Sequence, residues 1–99
     1  MPTLRQLSYL VTLADSPSFV HAARVANVSQ PTLSQQVRAL EERLGVTLLD
    51  RGASGAILTP VGRSVVARAR QVLSDVREIE ALAARASDPF TGTFRLGTT

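Results

Sequence analysis

The amino-acid sequence predicts a mainly α fold, a winged helix-turn-helix followed by one long helix, and three observations carry that expectation. Two short segments of helical period, 18–26 and 30–44, are separated by only Asn27, Val28 and Ser29, too few residues for anything but a tight turn between helices. After Gly45 the helical period gives way to short extended runs, TLLDR and AILT, with Gly52 and Gly55 between them, the pattern of a small hairpin or wing. Beyond Thr59-Pro60, no breaker other than Gly62 interrupts a helical pattern until about Ala86.

The first helix is announced by Thr3 and Gln6, the T-x-x-Q spacing of a capping box, followed by Leu4, Leu7, Leu10, Val11 and Ala14 at helical intervals. It should stop at Asp15 or Ser16, because Pro17 disfavours helix in the residue before it. Ser18 is then the N-cap of a short second helix. Phe19, Ala22, Ala23 and Ala26 line its inner face, and the three alanines permit close approach to another helix. Ser29 caps the third helix, Pro31 lies in its first turn where a missing N–H costs nothing, and Gly45 ends it.

Thr59 as N-cap with Pro60 at the first helical position starts the long helix. At ~1.5 Å per residue it is about 40 Å long, longer than the small domain before it. Val65, Ala69, Val72, Val76, Ile79, Ala83 and Ala86 alternate spacings of four and three, a heptad seam over three repeats. Val66, Leu73 and Leu82 widen it. Such a stripe exceeds what a domain of half its length can cover, so it calls for a second helix beside it. Ser87-Asp88-Pro89 closes the helix. FTGTFRLGTT then begins to look like a strand, with Phe94 and Leu96 on one face and no partner strand, which suggests a fragment of a longer protein.

The totals narrow the function classes. The net charge is +3 and all eleven basic residues are Arg, a balance that suits an anionic partner such as nucleic acid but equally a solvated basic surface. With no cysteine, a disulfide framework or thiolate metal site within the chain is excluded. No apolar run approaches the roughly 20 residues of a membrane span, and MPTLRQLSYL lacks the regions of a signal peptide. A cytoplasmic protein without a cofactor is the expectation. Catalysis finds no support: there is no glycine-rich phosphate loop and no metal-ligand cluster. The adjacent Glu41 and Glu42 point different ways, and His21 stands without a recognisable nucleophile.

The third helix, by contrast, has an unusual outer face. Taking Leu33, Val37, Leu40 and Leu44 as the inward stripe, at ~100° per residue, Pro31, Gln35 and Arg38 point outward, with Thr32 and Ser34 on their flanks. With Gln30 these make the N-terminal part neutral or basic, while Glu41 and Glu42 come only in the last turns. A recognition helix enters the major groove N-terminal end first. Gln pairs bidentately with adenine, Ser and Thr donate or accept, and the Thr methyl meets the thymine methyl. Helix N-terminal N–H groups favour phosphate, and glutamates belong at the end left outside. A merely solvated Gln35-Gln36 pair is the plainer alternative, with Gln36 toward the core flank. Arg51 is placed for the minor groove or a phosphate, or for an ion pair with Asp50 or a glutamate. Arg5 and Ser18, near helix N-termini, are candidate phosphate contacts.

The order of elements, together with SFVHAARVANVSQPTLSQQVRALEERLGVTLLDR and LTPVG, resembles the DNA-binding region of LysR-type transcriptional regulators, and is especially similar to their OxyR-like, peroxide-sensing branch. The resemblance covers roughly residues 1 to 88. It departs at Gln35, where many members have Arg or Lys, and at the wing tip, Gly52-Ala53-Ser54-Gly55, which is often basic. The resemblance implies a DNA-binding domain at 1–59, a linker and dimerisation helix at 60–88, and the start of a truncated effector-binding domain at 89–99. It implies a homodimer, with a higher oligomer open to the full-length protein, binding double-stranded DNA at an interrupted palindrome and acting on RNA polymerase indirectly. Val65, Ala69, Val72, Val76, Ile79 and Ala83 would form the dimer seam. The reading set against it is a helical dimerisation or adaptor domain without specific DNA binding.

Overall fold

A computed structural model of the chain describes residues 1–52 and 55–87. The helices are α1 (Leu4–Ala14), α2 (Phe19–Ala26), α3 (Gln30–Leu44) and α4 (Pro60–Ser87), with strands β1 (Leu49–Gly52) and β2 (Gly55–Leu58) between α3 and α4. The wing tip at 53–54 and the strand expected within 90–99 lie outside the described residues.

Each boundary has a local cause. Thr3 and Gln6 form the expected capping box: the Thr3 hydroxyl accepts from Gln6 N–H and Gln6 Oε1 accepts from Thr3 N–H. Ser18 caps α2 by accepting from His21 N–H, and Ser29 caps α3 by accepting from Thr32 N–H. Asn27 at the end of α2 and Gly45 at the end of α3 both adopt left-handed backbone, φ 60° and 72°. That conformation costs least for glycine and is tolerated by asparagine, so the two residues that close the turn and release the chain toward the wing are the two suited to do so. β1 and β2 pair antiparallel, Leu49 opposite Leu58 and Arg51 opposite Ala56.

The core gathers one stripe from each helix. Leu10 and Leu13 of α1, Ala22 and Ala23 of α2, and Leu33, Val37 and Leu40 of α3 meet Leu48 and Leu49 at the base of the wing. Leu33, Val37 and Leu40 are completely buried. Burying each such side chain contributes about 1.5–3 kcal/mol, so the inner face of α3 is firmly held and its outer face is presented in one orientation. The small Ala22 and Ala23 let α2 lie close to its neighbours.

α4 divides into two parts. Its first half lies along α1, where Val66 and Ala69 are buried and Val65 packs against the core. Val72 and Val76 are half-buried, and from Ile79 onward every residue of the helix is exposed. The seam expected from the heptad spacing is therefore partly occupied within the chain itself. Val65 is half-buried against the core and Ala69 is buried, whereas Ile79 and Leu82 are 64% and 58% exposed. No helix among the described residues is long and apolar enough to cross a membrane.

Candidate nucleic-acid interface

The outer face of α3 carries the side chains singled out by the sequence. Gln30, Pro31, Thr32, Gln35 and Arg38 are exposed and Ser34 is half-buried. None of the first-turn residues is acidic, so the N–H groups at this end of the helix face solvent without a neutralising carboxylate. Thr32 is partly engaged, because the Ser29 hydroxyl donates to its Oγ1 at 2.8 Å. Its own hydroxyl proton and its methyl remain available to a base edge. No partner among the described side chains ties down Gln35 or Arg38. The glutamine thus keeps both its donor and its acceptor, the pair that a bidentate contact with adenine requires.

Beneath this face lies a support that sequence reasoning missed. Gln6 is a polar residue only 4% exposed. Besides closing the α1 cap, its Nε2 donates to Gln36 Oε1 at 3.4 Å, joining the first turn of α1 to the flank of α3. Gln36 is thereby turned to the body of the protein, in keeping with its expected place near the core flank. The capping-box pattern identified Gln6 as a cap residue, but a second role for the same amide has no local sequence signature. Arg5, beside it, is exposed in the same first turn.

At the other end of α3 the two glutamates have different duties. Glu41 Oε2 accepts from Leu48 N–H at 2.8 Å and from Leu49 N–H at 3.1 Å, and Glu41 Oε1 accepts from Arg51 at 3.2 Å. One carboxylate therefore fastens α3 to the base and first strand of the wing. Partial burial raises the Glu41 pKa, but the two backbone donors and the Arg51 guanidinium outweigh it and leave the carboxyl below its ordinary value. Glu42 is exposed. Helical geometry foretells the difference: relative to Leu33, Glu41 lies roughly 80° round the helix, beside the core, and Glu42 roughly 180°, facing out. Of the alternatives open for Arg51, the structure contains the ion pair with a glutamate, and the partner is Glu41 rather than Asp50.

The remaining candidates are brought together in part. Ser18 and Gln30 border one groove, between the turn that precedes α2 and the outer edge of the wing, with Ile57 and Arg63 on its far side. Arg38 borders a shallower depression with Glu41, Glu42 and Gly45–Thr47, and Arg51 reaches Glu41 at the same end of α3. No group of His, Cys, Asp and Glu able to hold a metal ion occurs among the described residues.

Comparison with known proteins places this geometry. The family model described as bacterial regulatory helix-turn-helix protein, lysR family, matches residues 4–63. The HTH-type transcriptional regulator EstR of Acinetobacter baylyi is 46% identical over 97 residues, 98% of this chain and 32% of that protein. A full-length OxyR variant from Pseudomonas aeruginosa superposes with a TM-score of 0.84 at 45% identity, over 87% of this chain and 29% of the other. The DNA-binding domain of BenM, solved on its catB site 1 DNA, superposes with a TM-score of 0.82 at 36% identity, over 87% of this chain and 96% of the other. This chain spans about a third of the length of EstR. With a matching family model over more than half its length and the helix-turn-helix and wing in the expected order, the chain belongs to the lysR family of bacterial regulatory helix-turn-helix proteins.

Proposed function

We propose that this chain is the sequence-specific DNA-binding module of a transcriptional regulator, reading an interrupted palindrome as a dimer, with α3 in the major groove and the wing at the backbone or minor groove. The observation that carries the reading is the outer face of α3. Its uncovered groups at the N-terminal end are neutral hydrogen-bonders and one arginine, and its acids are confined to the last turns. Negative charge is absent where phosphate would approach and neutral readers stand where base edges would lie. That BenM's DNA-binding domain was solved on DNA supports a duplex as the partner.

In this reading Gln35 contacts a base, with Gln30, Pro31, Thr32, Ser34 and Arg38 around it. Arg51, Arg5 and Ser18 meet the backbone, Arg51 by exchanging Glu41 for a phosphate oxygen. The second part of α4, with half-buried Val72 and Val76 and exposed Ile79 and Ala83, pairs with the same helix of a second copy, and Val65 and Ala69 lie where that seam meets the body. Pairing about a two-fold axis presents two α3 helices to one side of a duplex, which requires inverted half-sites one helical turn or a multiple apart. The whole regulator acts in the cytoplasm, on RNA polymerase indirectly. The test is a gel-shift selection from duplexes of random sequence. Enrichment of an inverted repeat supports the module. A chain that binds no duplex, or binds all equally, is an adaptor or dimerisation domain instead.

A further inference from the structure

α4 is held to the body at two separate places, and neither hold belongs to the α3 surface. The first is at its start. The Thr59 hydroxyl accepts from Gly62 N–H at 3.0 Å and donates to Thr47 O at 2.7 Å, while Thr59 N–H donates to Leu48 O at 2.9 Å. Gly62 lies so close to that same carbonyl that a Cβ placed on it would stand 2.2 Å from Leu48 O. The second hold is two turns on: Arg70 donates to both oxygens of Asp15, Nη1 to Oδ2 at 2.9 Å and Nη2 to Oδ1 at 2.5 Å, a bidentate fork between α4 and the end of α1. Between them Val66 and Ala69 are buried. Two anchored points on a rigid rod define its direction.

Resting on the dimeric reading above, we propose that Gly62 and the Asp15–Arg70 fork are positioning residues that fix the angle of α4 to the body, and through it the spacing of DNA half-sites the dimer accepts. The two holds are about 12 Å apart along the helix and its end lies about 25 Å further on. Displacing one hold by ~1 Å while the other stays tilts the helix about 5° and moves its far end by ~2–3 Å. With the far ends joined in a dimer, the displacement falls on the two recognition helices instead. Two copies double it, which is comparable to the ~3.4 Å rise of one base pair. None of the three residues belongs to the α3 face proposed to read bases, so their replacement leaves base preference as it was.

The test uses the chain and a duplex selected by it from random sequence, rebuilt with the spacer between half-sites shortened and lengthened by one and two base pairs. Gly62→Ala must push α4 away from a backbone carbonyl, and we expect the preferred spacer to shift by about one base pair. Arg70→Gln removes an exposed pair whose energy is small, so folding is retained and discrimination against off-length spacers falls by about three- to fivefold. The exchanged pair Asp15→Arg with Arg70→Asp restores the discrimination that each single change loses. Base preference within a half-site stays as it was in all of them. Should Gly62→Ala fail to fold, Arg70→Gln and the exchanged pair decide alone. An Arg70→Gln spacer profile identical to the parent's, or lowered equally at every length, overturns the inference and leaves the fork as a fold contact only. If the parent chain selects no inverted repeat, the dimeric reading has failed first.

Discussion

α3 and α4 both leave a face in water, and the two faces are chemically opposite. α3 buries Leu33, Val37 and Leu40 completely and shows Pro31, Gln35 and Arg38 outward. α4 buries Val66 and Ala69 near its start and then carries Ile79 and Leu82 into solvent, on turns that reach no other part of the chain among the described residues. An uncovered polar face with its acids held to one end suits a charged, hydrogen-bonding surface such as a duplex. An uncovered apolar stripe on a projecting helix suits another apolar stripe, since a contiguous patch of that kind is rarely left exposed. The same physical principle, that unsatisfied surface finds its complement, is the ground for proposing DNA as the partner of one helix and a second copy as the partner of the other.

The largest effect is expected on α4. Ile79→Asp places a carboxylate where pairing would bury it without a partner, at a cost of about 3 kcal/mol or more. Sedimentation should change from dimer to folded monomer, and affinity for a palindromic duplex should fall about a hundredfold or further while the circular dichroism stays helical. A variant that remains dimeric removes α4 from the interface. Next in size is Glu41→Ala, which leaves Leu48 N–H and Leu49 N–H without their acceptor and should lower unfolding stability by about 2 kcal/mol. Glu42→Ala, one residue away and facing out, should remain within about 0.5 kcal/mol of the parent. Equal losses in the two urea titrations would remove the latch from the account.

Arg51→Ala sharpens the α3 side. It should weaken binding to selected and unrelated duplexes alike and make the dependence of log affinity on log salt shallower by about one. A loss confined to the selected sequence would make Arg51 a base reader. The smallest effect is that of pH. The hydrogen bond from Arg70 holds Asp15 below its ordinary value, and Glu41 is likewise lowered despite its partial burial. Because both carboxyls bind protons less readily folded than unfolded, their stabilisation is complete above the ordinary carboxylate range of about 4 and is lost as pH falls through the lowered folded values. Stability should therefore decline below about pH 4, and Glu41→Gln should decline less over that interval. The exposed Asp15 pair adds little.

Local signals made most of the fold legible. Caps at Thr3, Ser18 and Ser29, the stops at Pro17 and Gly45, and the three-residue turn at Asn27–Ser29 are determined by a few neighbouring residues, and the structure has them where the sequence placed them. Periodicity also separated the buried from the exposed face of α3, except at Leu44, which the stripe counts inward but which lies 36% exposed where the helix ends beyond the core. What stayed hidden are contacts between residues far apart in sequence. Gln6 with Gln36, Glu41 with the wing base, and Arg70 with Asp15, 55 positions away, depend on how helices pack. The heptad count on α4 had the same weakness. It registered that Val65 and Ala69 share a stripe with Ile79, but only packing reveals that the stripe's first part lies within this chain.

The claim at the centre of this account, that the outer face of α3 reads bases, is tested most directly by Gln35→Ala in double-mutant cycles with the DNA. Affinities of the parent and the variant would be measured on a selected duplex and on duplexes carrying each single base-pair change in a half-site. A loss of about 1–3 kcal/mol is expected on the selected duplex. That loss should disappear when one particular base pair is already changed, so the two changes couple at that pair and add elsewhere. Simple additivity at every base pair, or an unchanged affinity, would contradict the assignment of this face to DNA.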